Sequence, residues 1–232
     1  MQPLAVCSIR RATPSSRIVR LELGDSGFRF RAGQWARIGP EGSPELSPYS
    51  LASAPDDVAR VGAIEFLVKT DSHERWGEGF PPLARGQRLA VRGPFGAFTF
   101  PEHPAERDFL FIAGGSGIAP LRSMVRHARA AGHGGSCRLL YSARTPDDFA
   151  YLAELRGMAR RRELRLRLTA TRGGDERWKG DRGRITPSQL SSLIDQPATL
   201  CFVCGPAAMV EDVPRMLGGL GIDGSRIRVE EW

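Results

Sequence analysis

The chain changes its hydrophobic rhythm near residue 101. Before that point, residues 5–11, 18–23 and 35–38 are short apolar or alternating stretches separated by Gly-, Pro- and Ser-rich turns, and 64–69 (IEFLVK) and 89–92 continue the series. A period of two is that of half-buried strands. No helix longer than two turns is evident before Pro101, so this part is expected to close into a small antiparallel barrel. PEHPAER, residues 101–107, is polar and holds two prolines. It places the expected boundary between a domain at 1–103 and another at 108–232.

From Asp108 onward apolar runs alternate with helical patterns. Strands are predicted at 109–113, 137–142, 164–170, 200–204 and 227–229, and helices at 121–131, 148–161 and 207–217, with a short helix introduced by Thr186 and Pro187. Strands and helices of these lengths in alternation require a mostly parallel sheet covered on both faces, with ligands at the carboxyl ends of the strands. Three stretches fall at those ends: GGSGIAP (114–120), YSARTPDD (141–148) and CGPAAM (204–209).

The first of them organises the domain. Five apolar residues, 109–113, run into three glycines and then Pro120, the pattern of a buried strand turning sharply into a helix. Gly114 and Gly115 are expected to take backbone conformations closed to other residues, and Gly117 to admit a ligand close to the chain. Pro120 suits a first helical turn, where its missing N–H costs nothing. Such a turn aims backbone N–H groups and the positive helix end at a phosphate. Glycine required by φ alone remains the other reading of the same run.

Composition narrows the class. The 232 residues are 41% hydrophobic, and no run of eighteen apolar residues occurs, which points to a globular protein without a membrane span. MQPLAVCSIRR is too short in apolar residues for a signal peptide, so a cytoplasmic location is expected. Cys7, Cys137, Cys201 and Cys204 have no metal-ligand spacing and no disulfide framework, and no metal is expected. A net charge of +7 permits nucleic-acid binding, but the arginines are scattered, and no nucleic-acid partner is expected. A basic surface can equally steer an acidic redox partner or a phosphorylated cofactor.

Taken together, PYSLAS (48–53), RGPFGAF (92–98), IAGGSGIAP (112–120), YSARTPDD (141–148) and VCGPAAM (203–209), followed by EEW, occur in an order that resembles the ferredoxin–NADP reductase family of flavin-dependent oxidoreductases. The resemblance implies an N-terminal antiparallel Greek-key β-barrel (1–103) that binds FAD, and a C-terminal α/β domain (108–232) with a parallel, Rossmann-like sheet that binds NADPH or NADH. It also implies that hydride passes where the two meet. By the same resemblance Tyr49 lies against the isoalloxazine ring, Ser50 hydrogen-bonds near its N5, and Pro48 belongs to the same motif. Gly93, Pro94 and Gly96 shape the flavin pocket. Gly115, Gly117 and Pro120 form the dinucleotide-phosphate turn; Cys204, Gly205 and Pro206 place the nicotinamide; Trp232 belongs to the cofactor site. Ser50 and Cys204 are the expected catalytic pair. No acid–base pair is required, because flavin and nicotinamide carry the hydride chemistry.

Two positions depart from the family pattern. Ser47 stands where an arginine usually pairs with a flavin phosphate; its loss forfeits a charge-assisted contact of about 1.5–3 kcal/mol, for which Arg37 or Arg92 are the substitutes at hand. In 70–86 the family's pyrophosphate-facing helix start has no clear match, Trp76 and Gly77 being unassigned candidates for the place; FMN therefore stays beside FAD as a candidate. Arg144 and Arg172 end the second and third strands of the domain, where they can grip a 2′-phosphate, whereas Asp147 and Asp148 are placed to cap the next helix. No plant-type cysteine run or haem module is present, so electrons are expected to go to a separate acceptor: a ferredoxin, a flavodoxin, an oxygenase component or a small diffusible molecule. The alternatives are a flavin-binding electron-transfer or regulatory subunit without nicotinamide turnover, and a degenerate binding module.

Overall fold

The computed structural model describes residues 1–73, 75–76, 82–132, 135–173 and 177–232. The chain forms two compact units, residues 1–100 with 122–130, and 101–121 with 131–232. The first therefore takes in a helical stretch that a linear boundary at 103–108 assigns to the second.

The first unit contains six antiparallel strands: β1 (Gln2–Thr13), β2 (Ser16–Glu22), β3 (Trp35–Pro40), β4 (Ser47–Ser50), β5 (Ala63–Lys69) and β6 (Arg88–Phe95). Their order, β4-β3-β6-β1-β2-β5, is that of a Greek key, with β6 returning between β3 and β1. The sheet closes on itself where Leu51 bridges Phe66 and the Ala52 N–H donates to the Glu65 carbonyl at 2.8 Å. Closure removes the free edges that would otherwise template aggregation. Alternate residues such as Val19, Leu21, Ile38, Phe66 and Val91 point inward and form the core. The short helix α1 (Pro55–Val61) starts with proline and ends at Gly62 in the left-handed region. Against it lies the 122–130 stretch, tied by Arg126 Nη2 to Asp57 Oδ1 at 2.7 Å and by the His127 ring to Asp56.

The second unit is a sheet of six parallel strands, β7 (Asp108–Gly114), β8 (Ser136–Ala143), β9 (Arg165–Ala170), β10 (Asp181–Arg182), β11 (Leu200–Gly205) and β12 (Ile227–Glu231), in the order β10-β9-β8-β7-β11-β12. Every residue of β11 and all but the first of β7 are buried, which is why both read as unbroken apolar runs. Its helices are α3 (Leu152–Arg160), α4 (Pro187–Ser191) and α5 (Ala207–Gly219), with the start of α2 (Ile118–Ala130), whose residues 122–130 belong to the first unit. The predicted helix at 148–161 starts later, at Leu152, because Phe149 is extended and Tyr151 takes a left-handed φ of 60°. The strand order runs outward in both directions from β7 and β11, so the topological switch point, the usual ligand crevice of an open α/β sheet, lies between their carboxyl ends.

Candidate active site

At the switch point the two glycine motifs pack into one another. Gly114 is extended, with φ −120°, and not in a conformation closed to other residues. It is glycine because a Cβ would stand 2.7 Å from Met209 Sδ and 2.8 Å from Pro206 Cδ. Gly117 likewise admits protein and not a ligand: a Cβ there would run into the Cys204 carbonyl. Gly115 alone has φ +54° with no atom within 4 Å of its would-be Cβ, so the open space above this turn, at the start of the helical run, is where a phosphate can approach. The Tyr141 hydroxyl, on neighbouring β8, fixes the turn by donating to the Gly115 carbonyl at 3.0 Å while accepting from the Ala150 N–H at 3.2 Å. Complete burial raises the Tyr141 phenol pKa, so it stays a donor. Pro120 sits in the first turn of α2.

Beside this turn, β11 and β12 bring Cys204 opposite Glu230 and Gly205 opposite Glu231. Burial, with the Glu230 carboxylate adding to it, drives the Cys204 thiol far above its ordinary value, so it is a neutral thiol. Burial also raises Glu230, partly countered by Trp232 Nε1, which donates to Glu230 Oε2 at 2.8 Å. The Trp232 N–H donates to the Gly205 carbonyl at 3.0 Å, so Cys204, Gly205, Pro206, Glu230 and Trp232 form one group. Glu230 is the member that sequence reasoning missed; its only signal was the EEW triplet.

One strand over, β8 and β9 continue to pair past their ends: Thr171 N–H to the Ala143 carbonyl at 2.9 Å and Arg172 N–H to the Arg144 carbonyl at 2.6 Å. The two arginines are thereby adjacent at the carboxyl edge. Both are exposed, and neither guanidinium makes an ion pair or hydrogen bond among the described residues. Asp148 is occupied in a capping box, accepting from the Thr145 N–H and hydroxyl at 3.1 and 2.8 Å. That leaves it in the capping role its position predicts.

In the first unit Tyr49 is half-buried, its ring centroid 6.1 Å from that of the fully buried Trp76. Burial pushes its phenol up to about 12. Ser50 is buried, yet neither its hydroxyl nor that of Tyr49 has a hydrogen-bond partner among the described residues. Two hydroxyls without protein partners fit a ligand with a polar edge. Pro48 is exposed on the other face of β4. Gly93 and Gly96 close onto β3: a Cβ at Gly96 would lie 2.8 Å from the Trp35 ring, and one at Gly93 3.1 Å from Ala36. Pro94, between them, is part of β6. The register aligns Arg37 with Pro48 and Arg92, whereas Ser47 and Tyr49 align with the inward-pointing Ile38 and Ala36, so the two arginines lie on the opposite face of the sheet. Gly77 lies outside the described residues.

Among the described residues no group of three or more His, Cys, Asp and Glu could hold a metal ion, and no helix is long and apolar enough to cross a membrane.

Comparison with known proteins agrees with this geometry. Residues 111–215 match the family model described as an oxidoreductase NAD-binding domain. Over 97% of its length the chain is 33% identical to ferredoxin–NADP reductase B of Sorangium cellulosum, covering 95% of that protein. It is 32% identical to the glycine betaine monooxygenase reductase subunit of Pseudomonas aeruginosa over 88% of its own length and 57% of the relative's. Its fold matches that of a cytochrome P450 reductase from Amycolatopsis with a TM-score of 0.83 at 24% identity, across 99% of this chain and 69% of that one. With a barrel, a parallel nucleotide-binding sheet and a full-length relative of this similarity, the chain belongs to the ferredoxin–NADP reductase family of flavin-dependent NAD(P)H oxidoreductases.

Proposed function

We propose that the protein is an NADPH-dependent, FAD-containing reductase that delivers electrons to a separate acidic electron carrier or oxygenase component. The observation that carries the choice of nucleotide is the pair Arg144 and Arg172 at the ends of β8 and β9, exposed and without a partner among the described residues. Two arginines on neighbouring strand ends can supply the charge and the forked hydrogen bonds that a 2′-phosphate takes. Of the two carboxylates in the loop after β8, Asp148 is engaged in its cap.

In this reading residues 1–103 hold the flavin and 108–232 the nucleotide. Tyr49 offers a flat, partly buried face and Ser50 a free hydroxyl to the ring of the flavin. Gly115 admits the pyrophosphate, and Gly117 and Pro120 set the course of the helix behind it. Cys204, Gly205 and Pro206 define the floor under the nicotinamide. Glu230 and the neutral Cys204 thiol supply a polar, protonatable pair beside it, and Trp232 orients Glu230. FAD, when bound, accepts hydride from the nicotinamide and releases the two electrons singly. The likeness to an oxygenase reductase subunit and the net charge of +7 support an acidic protein as the acceptor.

The test is reconstitution with FAD and FMN, followed by anaerobic addition of NADPH or NADH. We expect FAD uptake and bleaching by NADPH. In Arg144→Ala, kcat/KM for NADPH should fall by at least about tenfold, or ~1.4 kcal/mol, with NADH nearly unaffected. Equal losses with both nucleotides, or a parent protein that strongly prefers NADH, would refute the 2′-phosphate assignment. Failure to take up any flavin would refute the function as a whole.

A further inference from the structure

The segment that follows Ser50 is held on all sides. The Leu51 N–H donates to the Gln34 carbonyl at 2.9 Å, the Ala52 N–H to the Glu65 carbonyl at 2.8 Å, and the Glu65 N–H to Ser53 Oγ at 3.1 Å. These are barrel contacts. The two outward carbonyls are taken by side chains of the 122–130 stretch that belongs to the same unit: Arg122 Nη1 donates to the Ala52 carbonyl at 2.6 Å and Ser123 Oγ to the Ser53 carbonyl at 2.7 Å. The Arg122 guanidinium is in turn 3.1 Å from Glu65 Oε1, and Glu65 Oε2 accepts from Arg20 Nε at 2.7 Å. Arg122 is only 6% exposed and Glu65 3%.

Burying a guanidinium and a carboxylate together is costly, and an apolar pair of the same volume would hold the two elements at least as firmly. An apolar pair cannot, however, fix carbonyl groups by direction. Charge-assisted hydrogen bonds can, and they are short and geometrically demanding. The carbonyls fixed here are those two and three residues beyond Ser50, whose hydroxyl has no partner of its own. Their orientation sets the backbone path through Ser50 and hence where that hydroxyl points.

We propose that Arg122, balanced by Glu65 and seconded by Ser123, is a positioning residue that locks the backbone after Ser50 so that the Tyr49 ring and the Ser50 hydroxyl meet the flavin in one geometry. The inference rests on the flavin reading above.

The experiment compares the full chain with Arg122→Met/Glu65→Gln, which removes both charges of the buried pair and leaves only the partly exposed Arg20 without its carboxylate, and with Ser123→Ala, which deletes one hydrogen bond. In the flavin-free double variant the amides of Leu51 and Ala52 should exchange at least about tenfold faster, with those of β7 and β11 unchanged. After loading with FAD, the quenching of flavin fluorescence should fall by at least about twofold, and kcat for NADPH by about tenfold with KM held, the split expected when orientation and not binding is lost. Ser123→Ala should move the same readouts in the same direction by a few-fold at an unchanged melting temperature. If both variants keep parental quenching and kcat, the proposal is overturned. Should the double variant not fold, Ser123→Ala decides by the same criteria. A parent protein that takes up no flavin refutes the flavin reading and the proposal with it, whereas a loaded parent with indifferent variants overturns the proposal alone.

Discussion

At the scale of single residues the proposed chemistry turns on the pairing of Cys204 with Glu230. They are register neighbours on parallel strands, and each is driven toward its protonated form by burial. A raised carboxyl pKa means that the folded state favours the proton, a preference fully present below the ordinary value and lost as pH rises through the raised one. The protonated, uncharged pair is the form that tolerates a neutral nicotinamide ring beside it without an unpaired charge. Flavin reduction should therefore decline on the alkaline side of an inflection that lies above the usual carboxylate range, and Glu230→Gln should remove that inflection. In Cys204→Ala the reduction step should slow while flavin uptake is nearly intact, because Cys204 belongs to the strand that the proposal assigns to the nucleotide. Stopped-flow reduction across a pH series reads both effects. A Glu230→Gln profile that keeps the inflection would assign it to another group, and parental rates in Cys204→Ala would remove the thiol from the site.

At the scale of elements the same glycine motif does two different jobs, and mutation separates them. In Gly117→Ala the added methyl meets the backbone of β11, which cannot rotate away. Overpacking of this kind costs about 2 kcal/mol, or roughly 4–8 °C in melting temperature. In Gly115→Ala there is room for the methyl but not for the φ of +54°. The strain is about 1 kcal/mol, and the larger effect should be on NADPH affinity, since the methyl enters the space that the proposal assigns to the phosphate. Thermal melts and nucleotide titrations of the two variants check this; the reverse order of effects would mean that the ligand approaches at Gly117. Both glycines were visible in the sequence, but not their separate reasons, because Gly117 is constrained by Cys204, 87 residues on, through a register no linear pattern encodes. The long elements were legible since burial on both faces leaves runs such as FLFIA and LCFVC. By contrast β4 was not: SPYS is four residues, half of them polar, and its strand character comes from pairing with β3. Glu230 and Arg122 were hidden for the same cause, each being defined by a partner distant in sequence, whereas Tyr49, Ser50 and Cys204 lay within motifs of fixed order.

At the scale of the whole molecule, 33 Lys and Arg against 26 Asp and Glu give the net charge of +7. Many of these cations are already engaged: Arg20 and Arg122 with Glu65, Arg126 with Asp57, Arg138 with Asp108. Others, such as Arg37 and Arg92 on the outer face of the barrel and Arg144 and Arg172 on the nucleotide sheet, have no partner among the described residues. Their field extends into solvent at low salt, where the screening length is about 30 Å at 0.01 M, and contracts to about 8 Å at 0.15 M. An acidic protein acceptor is steered by that field, and long-range steering acts on the encounter rate. With an acidic ferredoxin-type carrier, kcat/KM should therefore fall at least about tenfold between those two ionic strengths, through the encounter term. A neutral quinone accepts electrons without steering, and its kcat/KM should change by less than about twofold over the same range. NADPH must be saturating in both assays, because salt also weakens the grip of Arg144 and Arg172 on a phosphate. An acidic carrier whose kcat/KM ignores salt, or a quinone that follows it equally, would show that the excess positive charge does not select the acceptor, and the proposal of an acidic protein partner would fall while the reductase activity stood.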